Sequence, residues 1–173
     1  MKRDNLVLIG MPGAGKSTVG VVAAKILGYN FVDSDIVIQD KEKRLLKDII
    51  DNDGIDGFIE IEERVNAQID VHNSVIATGG SVVYGAKAME HLKAIGTVVY
   101  IKASYEEIEK RLGDLHQRGV VLKRNQDLKA LYDERCPLYE KYADITIESD
   151  SMELKECAAA IVDLYLGQNC GIY

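Results

Sequence analysis

A glycine-rich segment near the start of the chain has the clearest chemical meaning in the sequence. Residues 10–17 read GMPGAGKS and fit the pattern G-x-x-x-x-G-K-[ST]. They directly follow the apolar run Leu6–Ile9 and directly precede a segment with helical spacing. Glycines allow a tight turn whose N–H groups point at phosphate oxygens, and the positive end of the next helix adds to the same field. We therefore predict a phosphate-binding loop.

The last two residues of this loop add side-chain chemistry. Lys16 supplies a positive charge for the β- and γ-phosphates of a nucleotide, and the Ser17 hydroxyl is suited to ligate Mg²⁺. A glycine-rich turn that contains Lys and Ser by chance is the alternative. The position of the motif between a strand and a helix favours the phosphate-binding interpretation.

Two carboxylates, Asp33 and Asp35, follow the next short apolar run. In a parallel sheet, the carboxyl ends of the strands form the edge where ligands bind, beside the phosphate loop. One carboxylate could hold the metal or its waters, while the other could orient and deprotonate an acceptor hydroxyl. The alternative is that one or both cap the following helix, since Asp is a favoured N-cap. Beside a phosphate loop we favour the functional interpretation.

The elements that must position these residues alternate along the whole chain. Five short apolar runs predict strands: Leu6–Ile9, Asn30–Val32, Val75–Ala77, Val98–Ile101 and Ile145–Ile147. Helical spacing occurs from Val22 to a stop at Gly28, from Ile55 to Ile69, after the capping sequence at Ser104, and from Leu154 to Tyr165. This alternation predicts an α/β fold, with a mostly parallel sheet and helices on both faces. No linker or repeat interrupts it, so residues 1–173 form a single predicted domain.

The least patterned stretch is residues 113–127, which contain Arg118, Gly119, Lys123 and Arg124. A basic segment of this kind is either a solvated loop or a lid that closes over a ligand. Because a phosphate loop is present, we predict a lid.

Composition narrows the class of protein. The net charge is −7 and the acidic residues are spread along the chain, which argues against general affinity for nucleic acid. No apolar run reaches the roughly 20 residues that a membrane-spanning helix needs. The three cysteines lack metal-ligand spacing, so we expect reduced thiols in a cytoplasmic protein. Its partners should be a nucleotide and a small molecule, with no nucleic acid and no membrane.

With these residues in view, the sequence resembles the shikimate kinases, a family of P-loop kinases similar to nucleoside monophosphate kinases. The resemblance covers nearly the whole chain. It is carried by the phosphate loop followed by Thr18, Asp33-Ser34-Asp35, Gly79-Gly80, Arg118, and the sequence RCPLY at 135–139. It implies a three-layer P-loop fold with a five-stranded parallel sheet in the order 2-3-1-4-5, and a lid. It also implies a monomer that uses ATP and Mg²⁺ to phosphorylate a hydroxyl of shikimate, giving shikimate 3-phosphate.

The resemblance also implies roles for individual residues. The catalytic residues would be Lys16, Asp35 and Arg118. ATP would be bound by Gly13, Ala14, Gly15, Lys16, Ser17 and Thr18, with Arg111 near the adenine. The metal would be held by Ser17 and Asp33. The acceptor would be bound by Asp35, Gly79, Gly80 and Arg135, with residue 59 at the edge of its pocket.

The acceptor side departs from the family pattern. The family usually has Phe-Arg-x-x-Glu where this chain reads FIEIE at 58–62, so Ile59 replaces an arginine that binds the acceptor carboxylate. One charge-assisted hydrogen bond is worth roughly 1.5–3 kcal/mol, or tenfold to a hundredfold in affinity. Ser81 replaces a glycine and gives up easy access to positive φ, and Gly119 replaces a lid proline. Two alternatives therefore stay open: a kinase of another hydroxy acid or polyol, and a nucleotide-binding relative without turnover.

Overall fold

The computed structural model describes residues 3–112 and 127–169, and its centre is a five-stranded sheet. The strands are β1 (Asn5–Ile9), β2 (Asn30–Asp33), β3 (Ser74–Ala77), β4 (Gly96–Lys102) and β5 (Ile145–Glu148). All neighbouring strands pair in parallel, in the order β2-β3-β1-β4-β5. The predicted fold class and strand order are confirmed.

The burial of the strands follows from their sequences. Every residue of β1 and β3 is buried, and so is β4 except for Lys102, because helices cover both faces of the sheet. In β5, by contrast, Ile145 and Ile147 are buried while Thr146 and Glu148 are exposed. That alternation fits a strand at the edge of the sheet, with one face open to solvent.

Helices fill the segments between the strands. They are α1 (Lys16–Leu27), α2 (Ser34–Glu42), α3 (Leu46–Asn66), α4 (Ala86–Ile95), α5 (Tyr105–Leu112), α6 (Leu128–Tyr142) and α7 (Leu154–Asn169), with a short 3-10 helix at Val82–Tyr84. As predicted, α1 stops at Gly28, which has a φ of 69°. The Ser104 hydroxyl accepts a hydrogen bond from the Glu107 N–H at 3.3 Å, as expected for a cap of α5.

Two details differ from the predicted helices. The helical pattern extended to Ile69, but α3 ends at Asn66 and Ile69 is buried beyond it. Within α3, Gly54 has φ 73° and ψ −179°, which breaks the helix into two parts. The predicted lid falls at residues 113–127, and all but its last residue lie outside the described residues.

The apolar side chains form two separate clusters. The larger one surrounds the sheet and includes most of β1, β3 and β4. The smaller one joins α2 to α3 through Ile38, Ile49, Phe58 and Val65. Because α2 and α3 have their own cluster, they form a unit that lies beside the sheet edge and can present side chains across it. No helix among the described residues is long and apolar enough to span a membrane.

Candidate active site

The phosphate loop lies at the carboxyl end of β1 and leads directly into α1. Gly15 is the N-cap of α1 and has a φ of 92°, a left-handed conformation that glycine adopts without strain. The loop is closed by the Ala14 N–H, which donates to the Met11 carbonyl at 3.1 Å. Ser17 and Thr18 lie exposed in the first turn of α1. The N–H groups of this turn lack partners within the helix, which makes the loop a site for anions.

Lys16 is held against the loop rather than extended into solvent. Its ammonium group donates to the carbonyls of Gly10 at 2.8 Å and Met11 at 2.9 Å. Burial lowers the pKa of Lys16 to about 8, while the nearby Asp35 carboxylate opposes that fall. The charge therefore lies at the surface of the loop, where it can meet phosphate oxygens.

Asp33 caps the following helix, as one of the two interpretations of the sequence expected, and it also contacts Ser17. It is the N-cap of α2, and its Oδ1 accepts from the Asp35 N–H at 3.0 Å. Its Oδ2 accepts from the Ser17 hydroxyl at 3.0 Å. Protein-bound Mg²⁺ commonly takes one or two protein oxygens and completes its shell with phosphates and water. The Ser17–Asp33 pair fits that requirement, although the described residues contain no group of three or more His, Cys, Asp or Glu able to hold a metal alone.

A large open cleft follows the phosphate loop. Its volume is about 1090 Å³, and Arg111 and Leu112 at the end of α5 line one part of it, while Met152 and Leu154 line another. Arg111 forms an ion pair with Glu107, with 3.3 Å between its Nε and Oε2. The cleft is large enough for a nucleotide whose phosphates lie on the loop.

A second, smaller cavity of about 50 Å³ adjoins the cleft. It is lined by apolar side chains of the α2–α3 unit together with a few polar groups: Leu46, Ile50, Phe58, Glu62, Ser81 and Arg135. Four residues line both the cleft and the small cavity, namely Pro12, Asp35, Gly79 and Gly80. The two cavities therefore meet at these four residues, of which Asp35 is the one that carries a carboxylate.

The glycine pair after β3 is required by close packing. A Cβ on Gly80 would lie 2.7 Å from Cδ of Pro12, and one on Gly79 would collide with Oε1 of Glu62. The Gly79 N–H donates to the Ser34 hydroxyl at 3.2 Å. Ser81 has a φ of −91°, so serine fits there without backbone strain. The backbone strain expected from the replacement of glycine at this position is therefore absent.

Arg135 lies on α6 and is only 2% exposed. Its Nε donates to the Tyr84 hydroxyl at 3.2 Å, and its guanidinium lies 5.1 Å from the centre of the Tyr84 ring. These contacts fix a cation at the wall of the small cavity. One helical turn later, the Tyr139 hydroxyl donates to the Gly80 carbonyl at 2.5 Å.

The structure thus brings most of the predicted site residues together and leaves Ile59 apart from them. Residues of the phosphate loop, Arg111 and Asp35 line the cleft, and Arg135 lines the small cavity. Ile59 is half-buried on α3 and is not among the described residues that line the small cavity. Arg118 lies outside the described residues.

Sequence reasoning missed several residues of the site. Glu62 lines the small cavity and is buried, and burial raises its pKa to about 7. Burial also raises the pKa of Asp35, and the charge of Asp33 adds to the rise. The signal for Glu62 was present, because it is the one carboxylate on an otherwise apolar helical face. For Met152 and Leu154 the sequence offered no comparable signal.

The fold and the two adjoining cavities define a P-loop phosphotransferase that acts on a small molecule. The chain belongs to the shikimate kinase family, whose sequence model matches residues 12–165. It is 37% identical over 167 residues to a shikimate kinase of Pasteurella multocida, covering 94% of this chain and 95% of that protein. The structure is similar to a shikimate kinase from Acinetobacter baumannii in complex with shikimate, with a TM-score of 0.87, 34% identity, and coverage of 96% and 94%. A shikimate kinase from Aquifex aeolicus gives a TM-score of 0.74 at 27% identity, with coverage of 96% and 99%.

Proposed function

We propose that this protein transfers the γ-phosphate of ATP to a hydroxyl of shikimate, giving shikimate 3-phosphate and ADP. The observation that carries the proposal is the meeting of two cavities at Asp35, one beside the phosphate loop and one beside Arg135. Family membership supports the same activity, as does the likeness to a shikimate kinase whose structure contains shikimate.

On the donor side, the phosphates of ATP would lie on Gly13–Ser17 and accept hydrogen bonds from backbone N–H groups. Lys16 would turn from its carbonyl partners toward the β- and γ-phosphates. The adenine base of ATP would extend along the cleft between Arg111 and Leu154. Ser17 and Asp33 would hold Mg²⁺, which when bound neutralises charge on the phosphates.

On the acceptor side, Asp35 would accept the proton of the attacking hydroxyl. It lies where a hydroxyl from the small cavity can face a phosphate from the cleft. Arg135 would pair with the carboxylate of shikimate, since a guanidinium matches carboxylate geometry. Arg118 remains part of the proposal as the residue that stabilises charge on the transferred phosphoryl group.

Ile59 bears on the affinity for the acceptor. It brings an apolar side chain to the α2–α3 unit where the family pattern has a second arginine, so we expect a weaker hold on the acceptor carboxylate than two arginines give. We also propose that the protein acts as a monomer in the cytoplasm. The free thiols of Cys136 and Cys157 are compatible with a reducing compartment.

An assay of ADP release with shikimate, quinate and gluconate tests the function. We expect ADP to form with shikimate, in amounts that match shikimate 3-phosphate, and to be lost in Lys16→Ala. If gluconate is phosphorylated and shikimate is not, the protein is a kinase of another hydroxy acid. Tight ATP binding without turnover of any acceptor would indicate a nucleotide-binding relative.

A further inference from the structure

Glu62 stands out in the small cavity because its carboxyl group is buried without a hydrogen-bond partner. The residue is 1% exposed. In the described ranges 3–112 and 127–169, no group reaches Oε1 or Oε2 with hydrogen-bond geometry, although the Ser81 hydroxyl lies near enough to lower the pKa of the carboxyl group. A buried polar group without a partner costs free energy. Its presence in the wall of a cavity therefore points to a ligand group that completes it.

The charges that face Glu62 come from three helices. Asp35 extends from α2, Lys16 from the start of α1, and Arg135 from α6, where Tyr84 of the 3-10 helix holds its Nε. The Ser81 hydroxyl also lies close to the carboxyl group.

The helix that carries Glu62 supplies no compensating charge toward the cavity. One turn earlier the side chain is Ile59. On the side of α3 that faces α4, Glu63 rather than Glu62 makes the polar contact, because its Oε1 accepts from the Lys87 N–H at 3.0 Å. No cation therefore lies three or four positions from Glu62 on α3, where a side chain would be its neighbour.

Two carboxyl groups approach the same space above Gly79. A Cβ on Gly79 would collide with Oε1 of Glu62 and lie 3.0 Å from Oδ1 of Asp35. Each of two neighbouring carboxylates disfavours ionisation of the other. Burial raises the pKa of Glu62 to about 7, the charge of Asp35 adds to the rise, and Ser81, Arg135 and Lys16 oppose it. Glu62 is 1% exposed whereas Asp35 is only half-buried, so Glu62 is the carboxyl group that retains a proton more readily.

We propose that Glu62 binds the acceptor as a neutral acid, donating a hydrogen bond from its protonated carboxyl group to an acceptor oxygen beside Arg135. This inference rests on the proposed function and deepens it. It makes Glu62 a specificity-determining residue that favours acceptors with an oxygen, above all an anionic one, next to Arg135. An ionised Glu62 would repel such an anion, so binding takes up a proton from solvent in those molecules where Glu62 is ionised.

The dependence of KM on pH, measured on both sides of neutrality, tests the proposal. For the wild type, the KM for shikimate should rise above pH 7 by up to roughly tenfold per pH unit. Glu62→Gln keeps a neutral donor, so its KM should stay flat over the same range. Glu60→Gln, an exposed carboxylate on the same helix, should follow the wild type. A Glu62→Gln profile parallel to that of the wild type would overturn the inference.

Lys16 also titrates in this range, since its pKa is lowered to about 8. Its loss of charge should change kcat and the KM for ATP, and should do so equally in the wild type and Glu62→Gln. The pH dependence of the KM for shikimate therefore distinguishes the titration of Glu62 from that of Lys16. A change confined to kcat and the KM for ATP would count against a role for Glu62.

Calorimetry of shikimate binding in buffers of different ionisation enthalpy gives a readout independent of turnover. Slightly above neutral pH, the wild type should take up a fraction of a proton, and Glu62→Gln none. Ile59→Arg places a cation one turn from Glu62 and should lower the uptake, which keeps the test available if Glu62→Gln fails to fold. Equal uptake in the wild type and the folded variants would refute the inference. Absence of shikimate turnover at every pH would instead refute the proposed function.

Discussion

The phosphate loop is formed by eight consecutive residues, whereas the small cavity is lined by residues of α2, α3, α6 and the loop after β3, together with Pro12 of the phosphate loop. The loop acts mainly through backbone N–H groups, whose directions are set by local turn geometry. The cavity acts through side chains that only packing brings together. A local substitution should therefore change the acceptor side more freely than the donor side. The departures at Ile59 and Ser81 lie on the acceptor side, as this difference predicts.

Substitution of the residue where the two regions meet should have the largest effect. Asp35→Asn removes the proton acceptor with little change in shape, and we expect kcat to fall by roughly 10²–10⁴-fold. Asp40→Asn, an exposed position on the same helix, is the control. Steady-state kinetics with shikimate measure the effect. A loss of less than tenfold would remove Asp35 from the role of base.

The donor side can be disabled separately from the acceptor side. Lys16→Ala should lower kcat/KM for ATP by roughly 10²–10³-fold, because a positioned charge on the phosphates is lost. Shikimate binding, measured by calorimetry, should stay nearly unchanged. The control is Lys25→Ala, an exposed cation on α1. If shikimate binding is lost along with ATP binding, the two regions are not independent.

The acceptor side can be weakened by removal of its buried cation. Arg135→Met should raise the KM for shikimate by roughly tenfold to a hundredfold, while the KM for ATP changes little. Lys141→Met, an exposed cation on the same helix, should behave like the wild type. A rise in the KM for ATP alone would contradict the assignment of Arg135 to the acceptor. Because Arg135 also contacts Tyr84, the folding of the variant is checked first through the midpoint of its thermal unfolding.

The smallest effect is expected at Tyr139, which supports the acceptor side through a hydrogen bond to the backbone of the loop after β3. Its hydroxyl donates to the Gly80 carbonyl, and its ring stacks on Tyr100 with centroids 5.1 Å apart. Tyr139→Phe keeps the ring and loses the hydrogen bond, worth roughly 0.5–1.5 kcal/mol. The KM for shikimate should rise by a few fold, with Tyr142→Phe as the matched control. An unchanged KM would show that the loop after β3 keeps its position without this bond.

The elements predicted from sequence agree with the structure where the signal is local. The five strands were placed within two residues at each end, and Gly28 and Ser104 mark helix ends as expected. The end of α3 was misplaced because Ile69 is buried and continues the apolar spacing after the helix has stopped. An apolar periodicity indicates which residues are buried, and a residue can be buried without being part of a helix.

The residues of the site divide in the same way. The loop motif and the Asp pair were identified from spacing alone, since each lies within a few residues of a strand end. Glu62 is the one carboxylate on an otherwise apolar helical face, yet the sequence could not indicate that its carboxyl group would face Asp35. The bond from Tyr139 to Gly80 spans 59 positions and leaves no local pattern. Arg135 was assigned through family resemblance, and its buried contact with Tyr84 came only with the structure.

The sequence by itself determined the alternating α/β elements, the phosphate loop and the carboxylates beside it, because each depends on backbone preferences and spacing over a few residues. Only the tertiary structure decided that Asp33 both caps α2 and binds Ser17, and that two cavities meet at Asp35. It also decided that the Glu62 carboxyl group is buried without a group of hydrogen-bond geometry among the described residues. The physical reason is desolvation. Burial and the approach of charges from distant parts of the chain set the protonation of a carboxyl group, and neither can be predicted from the residues next to it in the sequence.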